Sequence, residues 1–290
     1  MPGYLPGRLK EIAQALPLSQ YLRQPPAPGT RLLWLGQAGF VLEAAGTRIV
    51  IDPYLSNSLA EKYKGTPRPH IRMAPAPVAP DGVFFVDLVA CTHAHTDHMD
   101  PGTLPALLAR NPQAPLLAPR AVKEQAALRS GLSAERLLPV DAGESLQLGP
   151  IRVTATRAAH ETLETDADGA HRFLGYVFDC GGPRIWHSGD GIPFGTLVEE
   201  VAPLRPDVAL LPVNGRRPEL SQNGVPGNFT LSEAIALARA LGCRDMVAHH
   251  YGMFDFNTAD PEEIDAAARA TLDLHVHRAR PAIALEYADG

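Results

Sequence analysis

Cys91-Thr92-His93-Ala94-His95-Thr96-Asp97-His98-Met99-Asp100 carries three imidazoles and two carboxylates in the eight residues from His93. Before it, Val83-Phe84-Phe85-Val86-Asp87-Leu88-Val89-Ala90 is mostly apolar, with β-branched and aromatic side chains, which predicts a buried strand. After it, Asp100 is a favourable N-cap and Pro101 suits the first turn of a helix. The cluster therefore falls in the turn between a strand and a helix, an anchored and accessible place where α/β folds carry chemistry. Histidine and aspartate together make a mixed nitrogen and oxygen ligand set, suited to zinc, manganese or iron. No cysteine lies within the pattern, which argues against a closed structural zinc site.

The same α/β reading extends along the chain. Strands are expected over 31–35, 39–44 and 47–51, then over 114–118, 137–140 and 144–155, with helices over 103–110 and 120–130. Further strands are expected over 173–178, 184–187, 207–213, 245–248 and 283–287. Thr230-Leu231-Ser232-Glu233 offers a capping box for a helix to Leu241, and Asp260-Pro261-Glu262-Glu263 starts another. Residues 7–24 have Leu9, Ile12, Ala13 and Leu16 at helical spacing. They predict a helical lead-in over residues 1–30, with 31–290 as one domain. Residues 57–80 form a long proline-rich connector ending before the histidine cluster. Its Lys62, Lys64, Arg68, His70 and Arg72 suggest a lid or a solvated loop, with Arg68 and Arg72 as candidate contacts for an anionic substrate.

With 290 residues, 45% of them hydrophobic, the chain can bury a large core. A net charge of −6 gives no nucleic-acid footprint. Cys91, Cys180 and Cys243 sit in or beside apolar segments and form no CxxC pair, as expected of reduced thiols in a cytoplasmic protein. No apolar run is long enough for a membrane span, and Met1 to Arg8 lack the apolar core of a signal peptide.

His93-x-His95-x-Asp97-His98 resembles the motif of the metallo-β-lactamase superfamily of metallohydrolases. The segment from Leu33 to Phe40 through Ile51 to Ser56, and the loop Pro212 to Arg217 with Gly227-Asn228-Phe229, resemble its L-ascorbate-6-phosphate lactonase-like branch. The resemblance covers roughly residues 31–257. It implies an αβ/βα four-layer sandwich, two mixed sheets flanked by helices. It also implies one or two divalent ions, Zn²⁺ or Mn²⁺. His93, His95 and His160 would hold the first; Asp97, His98 and His250 the second; Asp190 would lie between them.

Strand alternation alone cannot choose between His249 and His250; the resemblance selects His250. Asn214, Arg216 and Asn228 become candidate substrate contacts. Asp52 could support a metal-binding histidine or cap a turn, and Glu161 could orient His160 or be exposed. His95 stands where the oxygen-reducing diiron branch uses Glu, which favours hydrolysis, and Gly191 stands where many relatives carry Thr.

The implied chemistry is attack by a metal-activated hydroxide on a lactone or related ester of a small, sugar-acid-like anion, with Asp97 and Asp190 taking part. The alternatives are a phosphodiesterase of the same fold and a protein that binds metal and ligand without turnover. Relatives of the lactonase type suggest a homo-oligomer by analogy.

Overall fold

The computed structural model describes residues 9–288. Two sheets form its centre. The first has the order β1 (Leu9–Ala13), β15 (Ile283–Tyr287), β2 (Arg31–Gly36), β3 (Gly39–Ala44), β4 (Thr47–Ile51), β5 (Leu88–Ala90), β6 (Leu116–Pro119), β7 (Leu137–Val140). The second runs β14 (His275–Arg278), β13 (Asp245–His249), β12 (Val208–Pro212), β11 (Arg184–His187), β10 (Leu174–Asp179), β9 (Ile151–Arg157), β8 (Ser145–Leu148). The helices are α1 (Leu18–Tyr21), α2 (Ser58–Lys62), α3 (Leu104–Arg110), α4 (Lys123–Ser130), α5 (Leu197–Val201), α6 (Pro218–Ser221), α7 (Leu231–Ala240) and α8 (Pro261–Ala270).

Strand alternation builds the layers. Leu32, Trp34, Phe40, Leu42, Ile49 and Ile51 face the second sheet and pack into one core with Val153, Tyr176, Phe178 and Trp186. The intervening Leu33, Leu35, Val41, Val50 and Val89 face outward, against Leu104, Leu107 and Leu108 of α3 and Ala126 of α4. On the other side α7 packs on β12 and β13, and α8 on β14. The result is the expected sandwich of two mixed sheets flanked by helices. Each large side chain fully buried in it contributes about 1.5–3 kcal/mol.

The lead-in differs from its helical expectation. Leu9–Ala13 is a strand pairing antiparallel with β15, from Leu9 opposite Tyr287 to Ala13 opposite Ile283. Only Leu18–Tyr21 is helical, and residues 1–8 lie outside the described residues. The backbone groups along β15 reward an extended partner, and that long-range pairing overrides local helical spacing.

The following turn is tied down by a buried ion pair. Arg48 Nε and Nη2 donate to Glu43 Oε1 at 2.9 and 2.5 Å, and other Arg48 hydrogens reach the carbonyls of Leu22, Gln24 and Phe84. The Tyr21 hydroxyl donates to Glu43 Oε2 at 2.5 Å.

The strand before the histidine cluster is also shorter than expected, only Leu88–Ala90. The helix after it starts at Leu104, while Asp100 ties the intervening turn through Gly102 N at 2.9 Å and the Thr103 hydroxyl at 2.5 Å. β4, β5 and β6 run parallel, as do β11, β12 and β13. β9 shares the direction of β11, because both are antiparallel to β10. The C-terminal ends of β4, β5, β9, β11 and β13 therefore lead into one region, where open α/β sheets place their sites.

Candidate metal centre

Each of those strand ends releases a polar side chain. β4 ends at Asp52, β5 leads to His93, His95, Asp97 and His98, β9 to His160, β11 to Asp190, and β13 to His250. Donor atoms of His93, His95 and His160 lie within 4.8 Å of one another. So do those of His93, His98 and Asp190, and those of Asp97, His98 and His250. The seven residues named from the sequence thus converge, in three overlapping groups. Asp190 Oδ2 lies 3.3 Å from His98 Nε2, 3.2 Å from His250 Nε2 and 3.8 Å from His160 Nε2.

Asp52 organises the first strand end. Its Oδ1 accepts from Thr92 N, and its Oδ2 accepts from the Thr92 hydroxyl and from His98 Nδ1, all at 2.7 Å. A carboxylate only accepts, so His98 carries a proton on Nδ1 and turns Nε2 to the cavity. The Thr92 hydroxyl, having donated to Asp52, accepts from His93 Nδ1 at 3.0 Å, which frees His93 Nε2 in the same way. Asp52 therefore supports two imidazoles, His98 directly and His93 through the Thr92 hydroxyl. Gln37, unmarked in the sequence, donates from Nε2 to Asp97 Oδ2 at 2.8 Å, and its backbone carbonyl accepts from His250 N at 3.0 Å. Both Asp52 and His250 take positive φ, +44° and +62°, a backbone region uncommon for residues with side chains and concentrated at functional sites.

The charge states suit a cation. Burial, with neighbouring imidazoles, holds His93 well below its usual range, and burial brings His160 down to about 4. Burial alone would raise Asp190, but His250 and His98 outweigh it and hold the carboxyl well below the usual range. Burial opposes a proton on His98, yet Asp190, Asp52 and Asp97 push it well up, so a cation arriving there displaces that proton. Buried polar atoms normally find partners, but His93 Nε2, His160 Nδ1 and Asp190 Oδ1 have no hydrogen bond. Ionised carboxylates and unpartnered imidazole nitrogens fit one or two divalent ions of the nitrogen- and oxygen-loving kind.

A cavity of about 180 Å³ opens over the cluster. His95, Asp97, His160, Asp190 and His250 line it, with Gln37, Lys62, Tyr63, His70, Arg129, Phe254 and Asn257 around them. The expected substrate contacts Asn214, Arg216, Asn228, Arg68 and Arg72 lie outside this lining. Arg72 is held by the carbonyls of Tyr54 at 3.0 Å and Ala74 at 3.2 Å, and Arg68 reaches Glu219 O at 3.4 Å. Arg216 forms a two-pronged ion pair with Glu233, both contacts 2.6 Å. Asn228 accepts from Gly191 N at 2.8 Å and donates to Asn214, which donates to Asn257 at 2.9 Å. These asparagines tie the Asp190 turn to the cavity wall without lining it themselves, apart from Asn257.

The connector over 57–80 is packed rather than loose. His70 stacks on Tyr63 with ring centres 4.2 Å apart and meets Phe254 and Phe256 edge-on. Glu161 accepts from the Ser221 hydroxyl and from Gly227 N, fastening the 217–227 wall. His249 and His187 are buried structural residues: His187 Nε2 donates to Ala38 O at 2.9 Å, and His249 packs edge-on to Phe40. A side chain would fit at Gly191, where a Cβ would meet Ala159 O at an ordinary 3.6 Å.

The Beta-lactamase superfamily domain matches residues 47–251. A UPF0173 metal-dependent hydrolase of Aeropyrum pernix is 33% identical over 80% of this chain and 87% of its own length. One from Rubrobacter xylanophilus is 30% identical over 87% of this chain and 95% of its own length. Among solved structures, the metallo hydrolase Igni18 of Ignicoccus hospitalis superposes with a TM-score of 0.66 at 22% identity, over 90% of this chain and 99% of that one. By the extent of these matches, and with the ligand-type side chains gathered at its strand ends, the chain belongs to the metallo-β-lactamase superfamily of metal-dependent hydrolases, in the UPF0173 family.

Proposed function

We propose that the protein hydrolyses a lactone or related ester of a small, sugar-acid-like anion, using one or two divalent ions, Zn²⁺ or Mn²⁺. One observation carries this reading: seven side chains from four strand ends turn imidazoles and carboxylates toward one small cavity. His93, His95 and His160 would hold one ion, Asp97, His98 and His250 the other, with Asp190 between. A divalent ion there supplies Lewis acidity and brings the pKa of water from 15.7 toward about 7.

The chain's own groups do the rest. Gln37 holds Asp97 Oδ2; with only one ion bound, the other carboxylate oxygen would be left to take a proton from the attacking water. Asp52 and Thr92 keep His98 and His93 in the tautomers that accept a cation. Asn228, by accepting from Gly191 N, fixes the turn that aims Asp190. Tyr63, His70 and Phe254 form a ring-lined wall that limits the cavity to small substrates.

A panel of lactones and phosphodiesters, assayed with Zn²⁺ or Mn²⁺, tests the reading. Turnover of lactones, lost on Asp190→Ala, is expected. Turnover of phosphodiesters alone would establish the phosphodiesterase instead, and ligand binding without turnover would establish a binding protein. Three buried free cysteines support placing this reaction in the reducing cytoplasm, and among the described residues no helix is long and apolar enough to cross a membrane. The homo-oligomer suggested by analogy is open to a molar-mass measurement in solution.

A further inference from the structure

We propose that Lys62 and Arg129 form the subsite for the substrate's anionic group, on the His95 side of the metal cluster. For its kinetic test this rests on the hydrolase reading above; its binding test does not. Both residues line the cavity, and they reach it from different elements, Lys62 from the end of α2 and Arg129 from the last turn of α4. Arg129 Nη1 donates to the carbonyl of Ala94, the residue before His95, and to Met99 O at 3.1 Å. Lys62 lines the same cavity as His95 and His70. His95 is the exposed member of the first imidazole group, so both cations stand where that group meets the open cavity.

Among the described residues Lys62 and Arg129 form no ion pair, whereas Arg31, Arg48, Arg157, Arg216 and Arg278 each face a carboxylate. The Lys62 ammonium lies 5.0 Å from the centre of the Tyr63 ring, which supports it without cancelling its charge. Arg129 is half-buried, and its loss of solvation outweighs the favourable charge of Asp100, with which it makes no direct ion pair. An anion entering between them recovers that loss through charge-assisted hydrogen bonds. The carbonyls of Ala94 and Met99 occupy one guanidinium nitrogen, which leaves the rest of the donor fork for a planar carboxylate or a phosphate.

Carboxylate and phosphate share this chemistry, and the experiment separates them. Metal-loaded wild type, Lys62→Met and Lys123→Met are titrated calorimetrically with inorganic phosphate and with acetate, and the metal content of each is measured. Wild type is expected to bind at least one of the two anions. The preferred one names the group. Lys62→Met should weaken that binding about tenfold or more at full metal content, while Lys123→Met, which removes a charge outside the cavity, leaves it unchanged. Absence of binding by wild type, equal binding by Lys62→Met, or equal weakening by both variants overturns the subsite. Arg129→Gln should act as Lys62→Met does; if it loses metal because the Ala94 and Met99 contacts fail, Lys62→Met remains the deciding variant.

In the kinetic arm, Lys62→Met should raise KM about tenfold for an anionic lactone and leave kcat, and the KM of a neutral lactone, unchanged. An equal rise in KM for both lactones also overturns the subsite. If wild type turns over no ester, the hydrolase reading falls while the phosphate and acetate titrations still decide the subsite.

Discussion

Asp52→Asn would test how the centre is held together. In the wild-type protein the carboxylate accepts three hydrogen bonds of 2.7 Å, from Thr92 N, the Thr92 hydroxyl and His98 Nδ1. Asparagine has the same shape and tolerates the φ of +44° at this position, so the backbone need not move. It offers one oxygen and an NH₂ group. With the oxygen on Thr92 N, the NH₂ faces the Thr92 hydroxyl and His98 Nδ1, both of which were donors. His98 must then accept at Nδ1 and carry its proton on Nε2, toward the cavity. The Thr92 hydroxyl, turned away from position 52, donates to His93 Nδ1 and reverses that ring as well. Restoring either lone pair to a cation leaves a buried bond unmade, at about 1–3 kcal/mol. Metal affinity should fall about 10- to 100-fold, the usual scale for groups that orient a ligand. The assay is competition with a chelating dye, beside thermal melts with and without metal. The metal-free melt should fall by only a few degrees, because one charged buried group is replaced by a neutral one of the same size. Metal affinity within twofold of wild type would refute the tautomer argument.

Metal removal by a chelator should lower the melting temperature, and readdition to 100 times Kd should return about 2.7 kcal/mol of stability, read from denaturant midpoints. Arg48→Met leaves Glu43 buried and unpaired and should cost about 3–5 kcal/mol in urea unfolding; adding Glu43→Leu should recover much of it. Glu233 is brought down to about 2, first by Arg216 and then by the Thr230 contacts. A depressed folded pKa means that the unfolded chain binds the proton first as acid is added. Its contribution is therefore complete above the ordinary glutamate range near pH 4.5 and is lost as pH falls toward 2. Glu233→Gln should flatten that part of an acid-unfolding curve. Gly189→Ala should cost at least about 2 kcal/mol by thermal melt, since φ is +65° and a Cβ would stand 2.4 Å from Leu174 O.

Much of this architecture was legible in order along the chain. The apolar runs of β2, β3, β4 and β12 read as strands because each is buried through most of its length. Thr230 and Glu233 form the capping box that their spacing predicts, since such a motif is satisfied within four residues. The cluster from His93 to His98 was visible for the same reason: its members are neighbours in sequence. His160, Asp190 and His250 carry no such local pattern, and only the family resemblance marked them.

Tertiary structure decided the rest. Whether Asp52 capped a turn or steadied a ligand depended on which donors folded against it, and those came from Thr92 and His98, at least 40 positions away. The basic residues of the 57–80 connector looked alike in sequence, but packing consumed Arg72 on backbone carbonyls and left Lys62 at the cavity. Arg129 and Gln37 had nothing to distinguish them until α4 and the β2–β3 turn were brought beside the histidine loop. Local sequence specifies conformation and donor chemistry. Which donors share a cavity, which tautomer each imidazole takes and which charges stay unpaired are set by long-range contacts, because hydrogen bonds and Coulomb forces act over distances in space and not along the chain.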